Sequence, residues 1–347
     1  RHLGCVTRFR FQHDHPFWKY RRYGRDQSSH GWGCHPERDQ QLRREYQLHR
    51  RLSQIQDRII GQRWSFLSDS TLVWDTGSTE NISTRTVGLG GTSVTLDTNG
   101  NNVLLTNTVG NGGSASIVKA GEGKLTFAST PTYTGSTTIS GGILQLGNGG
   151  ATVSVQGNIL NNAELALNFT GGTTFSNIVT GTGGLIHSGS GQLNLSSANT
   201  HSGTTSINSA SATLLLGDAL ALQNSTLSYV ASGGTVSFGS LTAVTLGGLA
   251  EDKNLVLQNN AAAALALSIG NNNQTTNYMG GLSGAGSLVK IGTGISYLTG
   301  INTYAGTTTV SGGDLELVQG EIHGSGVITT AGTNGRMSVS GGMLATT

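Results

Sequence analysis

Residues 288–317 read LVKIGTGISYLTGINTYAGTTTVSGGDLEL, and this stretch decides the fold. A lysine precedes a Gly-x-Gly pair, and the second glycine of the pair, Gly294, lies twelve residues before Gly306. A β-branched residue follows four positions later. Apolar residues alternate with polar ones, as at Leu315 and Leu317, which is the period of a strand with one buried face. The stretch therefore predicts short strands that are separated by glycine turns.

The same motif occurs in two more places, so that copies occupy about residues 114–147, 181–217 and 284–317. The twelve-residue spacing between the motif glycines is the same in all three. The second copy carries His187 at the lysine position and His201 at the tyrosine position. Spacing this regular indicates a repeat architecture, in which stacked units bury a thin shared core.

Composition supports this architecture for residues 66–347. These 282 residues (347 minus 65) hold only 18 charged side chains (6 basic and 12 acidic) and 49 glycines. A chain with so few bulky apolar residues cannot build one thick core, but it can repeat a thin one. At roughly 20 to 25 residues per turn the stretch supplies about a dozen turns.

The sequence between the copies shows the same alternation more weakly. Ile159, Leu165, Leu167 and Phe169 alternate as in a strand. The alanine run at 261–264 is ambiguous, because alanine favours helix, whereas the alternating residues that follow favour another turn of strands. Near the end, Gly324-x-Gly326-Val327-Ile328 begins a fourth, degenerate copy.

The third copy resembles the passenger-associated repeat of bacterial autotransporter-like surface proteins. The resemblance lies in the lysine and Gly-x-Gly pair, in the segment 302–310 (NTYAGTTTV) and in the glycine pair at 312–313. It extends discontinuously from about Ser114 to Leu317. The second copy departs from the pattern where Ser209 and Ala210 replace the glycine pair.

The resemblance implies an all-β fold, a right-handed parallel β-helix (solenoid) that is secreted to the surface of a Gram-negative or related bacterium. In such proteins the repeat supports secretion and folding of the rod. The expected partners are an unknown surface ligand, such as a carbohydrate or a host or other cell surface, and an outer-membrane barrel or anchor outside this chain. No nucleic acid and no cofactor is expected.

Residues 1–65 have a different composition. They hold 14 of the 20 Lys and Arg residues and carry a net charge of plus 8 (14 basic, 6 acidic), against minus 6 in the remainder. A basic helix over residues 40–60 could bind nucleic acid or anionic lipid. The set Cys5, His13, His15 and Cys34 matches no paired zinc template. The segment also lacks the apolar core of a secretory signal, so the export signal is expected elsewhere.

The preferred hypothesis for this segment is out-of-frame translation. A one-nucleotide shift turns a Trp codon into a Gly codon and converts many Arg and His codons into codons for small or polar residues, which is the composition of the repeat. The alternative is a genuine basic leader or linker. Either way, the segment is predicted to be disordered or an isolated helix detached from the rod. The nucleotide sequence decides between the two readings, because a stop codon or a missing repeat in the shifted frame would reject the first.

Few residues of the rod suggest chemistry. An enzyme acting on polysaccharide is the alternative function, and it would need converging carboxylates or a carboxylate-Lys-Arg cluster. The densest charged cluster, 251–253, reads as a solvated turn, and Gly312-Gly313-Asp314 alone is a weak calcium motif. We therefore predict no catalytic, cofactor-binding or metal-binding residues.

Two aligned sets of residues recur at equivalent motif positions. Lys119, His187 and Lys290 are predicted to lie on a solvated edge of the rod. Tyr133, His201 and Tyr304 are predicted to pack over a turn, with carbohydrate stacking as the alternative. The sequence as a whole predicts a structural rod of a secreted autotransporter-type passenger that serves surface display or adhesion.

Overall fold

The computed structural model describes residues 8–9, 64–323, 327–330, 335–341 and 343–345. Its elements are short strands and one 3₁₀ turn (Ile82–Thr84). Every strand pair in the described residues is parallel. In this part of the chain no helix has the length and hydrophobicity needed to cross a bilayer.

The strands follow one another in chain order and are two to eight residues long. They are β1 (Arg8–Phe9), β2 (Trp64–Ser68), β3 (Thr71–Val73), β4 (Thr86–Gly90), β5 (Ser93–Asp97), β6 (Val103–Leu105), β7 (Ser116–Ala120), β8 (Lys124–Phe127), β9 (Thr137–Ile139), β10 (Ile143–Gly150), β11 (Ile159–Asn161), β12 (Glu164–Phe169), β13 (Thr173–Phe175), β14 (Val179–Thr180), β15 (Gly184–His187), β16 (Gln192–Leu195), β17 (Thr205–Ile207), β18 (Thr213–Leu216), β19 (Leu222–Ser228), β20 (Thr235–Ser237), β21 (Ala243–Ala250), β22 (Leu255–Val256), β23 (Ala266–Ile269), β24 (Thr276–Tyr278), β25 (Leu282–Ser283), β26 (Ser287–Lys290), β27 (Ile295–Leu298), β28 (Ile301–Asn302), β29 (Thr308–Val310), β30 (Gly313–Val318), β31 (Glu321–His323), β32 (Ile328–Thr330), β33 (Gly335–Ser340) and β34 (Met343–Ala345).

The strands pair with strands of neighbouring turns, which defines a solenoid with three sides. One side is a seven-stranded sheet (β1-β3-β5-β7-β9-β11-β14) and a second belongs to a twelve-stranded sheet that runs from β6 to β32. The third side is built from smaller sheets, among them β2-β4 and β13-β16-β18-β20. The parallel β-helix and the expected dozen or so turns are confirmed.

The length of a turn varies within a narrow range. Paired residues are 19 positions apart at Leu125 and Leu144 and 24 apart at Thr71 and Thr95. A longer interval of 27 residues separates Leu255 from its partner Leu282. The extra residues include the alanine run at 261–264, which forms an exposed turn and contains neither a helix nor a complete additional turn of the solenoid.

The core consists of columns in which one inward side chain stacks on its equivalent in the next turn. Leu125, Leu144, Leu165 and Leu185 form such a column, and all four are buried. Each turn contributes only a few apolar side chains, so burial is shared between neighbours along the axis. This arrangement explains how a chain so rich in glycine, serine and threonine forms a stable fold.

The repeat copies do not all begin on the same side of the solenoid. The lysine strand of the first copy, β7, lies in the seven-stranded sheet, whereas the equivalent strand of the second copy, β15, lies in the twelve-stranded sheet. The 68-residue offset between Lys119 and His187 therefore equals three turns plus one side. This explains why the offset does not fit a whole number of turns.

The long strand β21 marks a corner in the twelve-stranded sheet. Its residues 246–250 pair with β19, while residues 243–245 pair with β23. The sheet therefore passes from one side of the solenoid to another at this strand.

Predictions for the N-terminal segment fall almost entirely outside the described residues. These are the proposed helix over residues 40–60, the set Cys5, His13, His15 and Cys34, and the frame hypothesis. Of residues 1–63, only β1 is described, and it pairs with β3 through Arg8–Thr71 and Phe9–Leu72. Gly324 and Gly326, which open the expected fourth copy, also lie outside; β32 after them continues the stack on β29.

Candidate functional site: the buried polar positions of the repeat

The lysine position of the repeat is inside the solenoid, so the predicted solvated edge was wrong. Lys119 and Lys290 have 0% exposure and His187 has 1%. The sequence contained the signal, because each of these residues lies two positions after a buried apolar residue and shares its inward face. Lys119 sits in a core column between Leu96 and Ile139.

The buried ammonium groups hold the backbone of two successive turns together. Lys119 Nζ donates to the carbonyl oxygens of Ala120 (3.0 Å) and Gly121 (2.7 Å) in its own turn and Gly141 (2.9 Å) in the next. The aliphatic stem of the lysine continues the apolar column, while its charged end reaches carbonyls at the corner. Desolvation by burial lowers the pKa of Lys119 to about 8, although Asp97 and Glu122 oppose the shift.

Lys290 repeats this geometry in the third copy. Its Nζ donates to the carbonyls of Ile291 (2.6 Å), Gly292 (3.2 Å) and Gly312 (3.1 Å). Burial again lowers the pKa of the lysine, against the attraction of Asp314. The glycine-rich turns are needed because a Cβ at Gly292 would lie 2.0 Å from the carbonyl oxygen of Gly270.

His187 occupies the same position in the second copy with a shorter side chain. It stacks between Leu167 and Ile207, and its Nε2 lies 2.9 Å from the carbonyl oxygen of Gly191. That contact assigns the proton to Nε2, which donates to the carbonyl. Burial lowers the pKa of His187, while the carbonyls of Gly191, Leu167 and Thr213 act in the opposite direction.

The tyrosine position also lies in the core. The rings were predicted to pack over a turn, and they are packed inside the solenoid instead. Tyr133 and Tyr304 are fully buried, and the Tyr133 hydroxyl is 2.7 Å from the hydroxyl of Thr137, four residues later. Tyr304 and Thr308 make the same contact at 2.5 Å. Because these rings are inaccessible, the alternative of carbohydrate stacking on them is rejected.

His201 replaces the tyrosine in the second copy. It has 1% exposure, and its Nε2 lies 3.1 Å from the hydroxyl of Thr205, which lies 2.8 Å from that of Ser225. The Ser225 hydroxyl donates to the carbonyl of Gly203, so the chain of hydrogen bonds runs from His201 Nε2–H outward. Nδ1 of His201 then carries a lone pair without a partner within the described residues. Burial lowers the pKa of His201 to about 4.

Buried asparagines connect successive turns, and the sequence reading missed them. Asn199 Oδ1 accepts from the N–H of Val179 in the preceding turn, and its Nδ2 donates to the carbonyl of Ala221 in the following one. Asn302, at the same motif position, accepts from Leu282 N–H and donates to the carbonyl of Glu321. The recurrence of these asparagines immediately before Thr in two copies was the available signal.

The motif glycine after the tyrosine is required by close packing between turns. A Cβ at Gly135 would lie 2.5 Å from the backbone of Ala115, and one at Gly203 would lie 2.4 Å from Gly183. At Gly306 the closest atom would be the Gly286 carbonyl oxygen at 2.3 Å. Successive turns can approach this closely in all three copies only because this residue lacks a side chain.

We expect Lys119→Met to lower the free energy of unfolding by about 2 to 3 kcal/mol, because the carbonyls of Gly121 and Gly141 would lose a charged donor. Methionine keeps most of the stem volume, so the loss reports the ammonium. Chemical denaturation followed by circular dichroism measures the change.

Lys124→Met is the matched control. Lys124 is half-buried, and its Nζ contacts a side-chain acceptor, Gln145 Oε1, at 3.1 Å. We expect this substitution to cost less than about 1 kcal/mol. Equal effects of the two substitutions would show that the buried carbonyl cluster has no special role.

Charged side chains in the described part of the chain meet in pairs such as Glu80–Arg85 and Asp314–Arg336. Asp314, once a weak calcium candidate, accepts from both Nε and Nη2 of that arginine at 2.7 Å. No group of three or more potential metal ligands occurs among the described residues.

Charged residues of the 251–253 cluster form hydrogen bonds with nearby backbone groups. Lys253 Nζ donates to the carbonyls of Gly233 (2.6 Å) and Gly234 (2.7 Å), and its ammonium lies 5.5 Å from the centre of the Tyr229 ring. Asp252 accepts from the N–H of Ala231. The cluster therefore fastens one turn to the next, and its members do not converge on a cleft.

Comparisons with known proteins agree with the repeat architecture. Residues 117–146, 185–211 and 288–317 match the passenger-associated-transport-repeat family. The chain is similar to the adhesin BmaC autotransporter of Brucella suis biovar 1, with 34% identity over 223 residues. That alignment covers 53% of this chain and 6% of the adhesin, so the chain corresponds to a small part of that relative. No solved structure matches.

Proposed function

Because the chain carries three passenger-associated transport repeats on a parallel β-solenoid, we propose that it is a surface-displayed segment of an autotransporter passenger and contributes to adhesion. The observation that carries the proposal is that the polar residues of the repeat form hydrogen bonds inside the solenoid. Lys119, Lys290, Asn199 and Asn302 all bind the backbone of their own or adjacent turns. The repeat therefore builds a stiff support, and the outward positions are left for contact with a partner.

The expected location is extracellular and associated with the outer membrane, and the proposed partner is a carbohydrate or another cell surface. Similarity to an autotransporter adhesin supports this placement. The solenoid presents outward rows of threonine, serine and asparagine, which can form many weak hydrogen bonds with a partner. Such a surface gains strength from many simultaneous contacts.

Beads coated with the full chain should adhere to cultured epithelial cells more strongly than beads coated with albumin. Beads that carry the Gly135→Ala variant test whether adhesion requires the folded solenoid, because that substitution is expected to disrupt it. Adhesion no greater than with albumin would overturn the proposal. Adhesion that is equal for the disrupted variant would show that the solenoid is not the adhesive element.

The non-catalytic character of the rod is part of the same proposal. The enzyme alternative needs acidic or basic groups that converge in a cleft, and the charged groups described above bind backbone or a single opposite charge. Incubation of the chain with neutral and acidic polysaccharides should release no new reducing ends. Sustained release that is lost on denaturation would favour the enzyme alternative.

A further inference from the structure

On the third side of the solenoid the backbone ladder has a break at residues 152–157. Residues 152–155 alternate between exposed and buried, as a strand would, and residues 156–157 form an exposed bend, yet none of them belongs to a sheet. Within the described residues, no backbone group from Thr152 to Gly157 makes a main-chain hydrogen bond. The ladder resumes at β13, which pairs with β16.

A bulge in the preceding strand lies next to the break. In β10, Leu146 pairs with Leu167 but Gly150 pairs with Phe169, so β10 has two extra residues in this interval. Gly147 and Gly149 have φ values of +84° and +75°, which an L side chain would oppose. Bulges of this kind terminate pairing and redirect the chain that follows.

Side chains replace the missing backbone bonds at only a few points. The Ser154 N–H donates to the Thr130 hydroxyl at 3.3 Å on one side. On the other, Asn177 Nδ2 donates to the carbonyls of Val155, at 3.0 Å, and Gly157. Several backbone donors and acceptors are therefore available to an external partner.

The break opens a groove of about 350 Å³ between residues 152–158 and 173–177, which we call the 152–177 groove. This volume is within the range of small-molecule sites. Its lining side chains are hydroxyls, carboxamides and three apolar groups, and none is charged: Thr152, Val153, Ser154, Val155, Gln156, Asn158, Thr173, Thr174, Phe175, Ser176 and Asn177, together with Gly157.

Two exposed apolar side chains follow the lining residues closely in sequence. Ile178 directly follows the lining residue Asn177 and is 38% exposed, and Leu160, two residues after Asn158, is 43% exposed. Polar groups in a groove beside aliphatic side chains match a sugar ring, which has hydroxyls at its edge and C–H groups on its faces. An acidic ligand would find no cation among the lining residues.

We propose that the 152–177 groove binds a neutral saccharide of one or two sugar units. The inference rests on the proposed adhesive function and specifies its ligand class. Neutral hydroxyls would bond to the carboxamides of Gln156 and Asn158, to the hydroxyls of Ser154 and Ser176, and to the unpaired backbone groups between them. An extended peptide that pairs with the same backbone groups is the competing occupant.

The test is binding of the labelled full chain to an array that carries neutral oligosaccharides of glucose, galactose, mannose and N-acetylglucosamine. The array also carries sialylated and sulfated oligosaccharides and unstructured peptides. We expect binding to at least one neutral saccharide. Thr174→Trp, which places a large ring over the groove, should weaken that binding at least about tenfold, equivalent to 1.4 kcal/mol.

Thr200→Trp is the matched control, since Thr200 is exposed but does not line the groove, and it should leave binding unchanged. Gln156→Ala is a second variant at an exposed position, chosen in case Thr174→Trp perturbs folding, and it should also weaken binding. The inference would be overturned if the unmodified chain bound no neutral saccharide. It would also be overturned if Thr174→Trp and Gln156→Ala both bound the saccharide as strongly as the unmodified chain. If the chain instead bound peptides, and the groove substitutions weakened that binding, the occupant of the groove would be an added peptide strand and not a saccharide.

Cell adhesion of the same variants separates this inference from the proposed function. If Thr174→Trp beads adhere to cells as well as unmodified beads, the groove inference fails while the adhesive function stands. If unmodified beads do not adhere at all, the adhesive function fails, and the array result still decides whether the groove binds saccharide.

Discussion

Gly135→Ala is expected to lower the free energy of unfolding by more than about 3 kcal/mol, although it adds only one methyl group. The new Cβ would lie 2.5 Å from three backbone atoms of Ala115 and Ser116, about 1 Å inside ordinary contact. Those atoms belong to the preceding turn, whose position is fixed by ladder hydrogen bonds, so the turns must separate. Overpacking against backbone cannot be relieved by a rotamer change.

Hydrogen exchange gives the sharpest measurement for Gly135→Ala, because unfolding of a solenoid need not be all-or-none. Amides of β7 and β9, which flank the substituted turn, should lose protection first. Gly172→Ala is the control, since its φ is not positive and a Cβ there would meet nothing within 4 Å. Similar protection in both variants would mean that the close approach of the turns is not rigid.

Acid is expected to weaken the second repeat copy more than the other two. The pKa of His201 falls from 6.5 in the unfolded chain to about 4 in the folded one, because burial disfavours the charged ring. Between these values the unfolded chain binds more protons, so the free energy of unfolding decreases as pH falls. The loss approaches about 3 kcal/mol near pH 4 and is absent above about pH 7.

His201→Tyr should remove this part of the acid sensitivity. Tyrosine occupies the same position in the other copies, and Thr205 is in place to meet its hydroxyl as Thr137 meets that of Tyr133. Urea denaturation at pH 7 and pH 4.5 measures the difference, with His323→Gln as the control because His323 is partly exposed and paired with Glu321. An unchanged acid loss in His201→Tyr would assign the sensitivity to other groups.

The strand pattern could be predicted from sequence because inward positions in a solenoid alternate with a period of two. Leu125, Phe127, Leu315 and Leu317 are all buried as expected. The path of the chain between copies was harder to predict, since turn length changes with every bulge and loop. The turn that contains residues 261–264 is the clearest example, because alanine favours helix and yet this run forms an exposed turn.

The polar interior was predicted poorly because charge was treated as a marker of solvent exposure. Lys119 and Lys290 violate that rule, since local carbonyls replace water around their ammonium groups. The 152–177 groove could not have been found by sequence reading either. It lies beside a two-residue bulge in β10, and glycine-rich sequence of the same appearance occurs at many turns that have no bulge.

The three-sided turn has a consequence for how repeated features are displayed. Because the first and second copies begin on different sheets, corresponding surface loops of those copies project toward different sides of the solenoid. Epitopes or peptides grafted at the same motif position would therefore be distributed around the circumference and would not form a single row. An antibody against one such loop could bind two copies without steric conflict. The number of antibodies bound per chain would therefore show whether the copies face different sides of the solenoid.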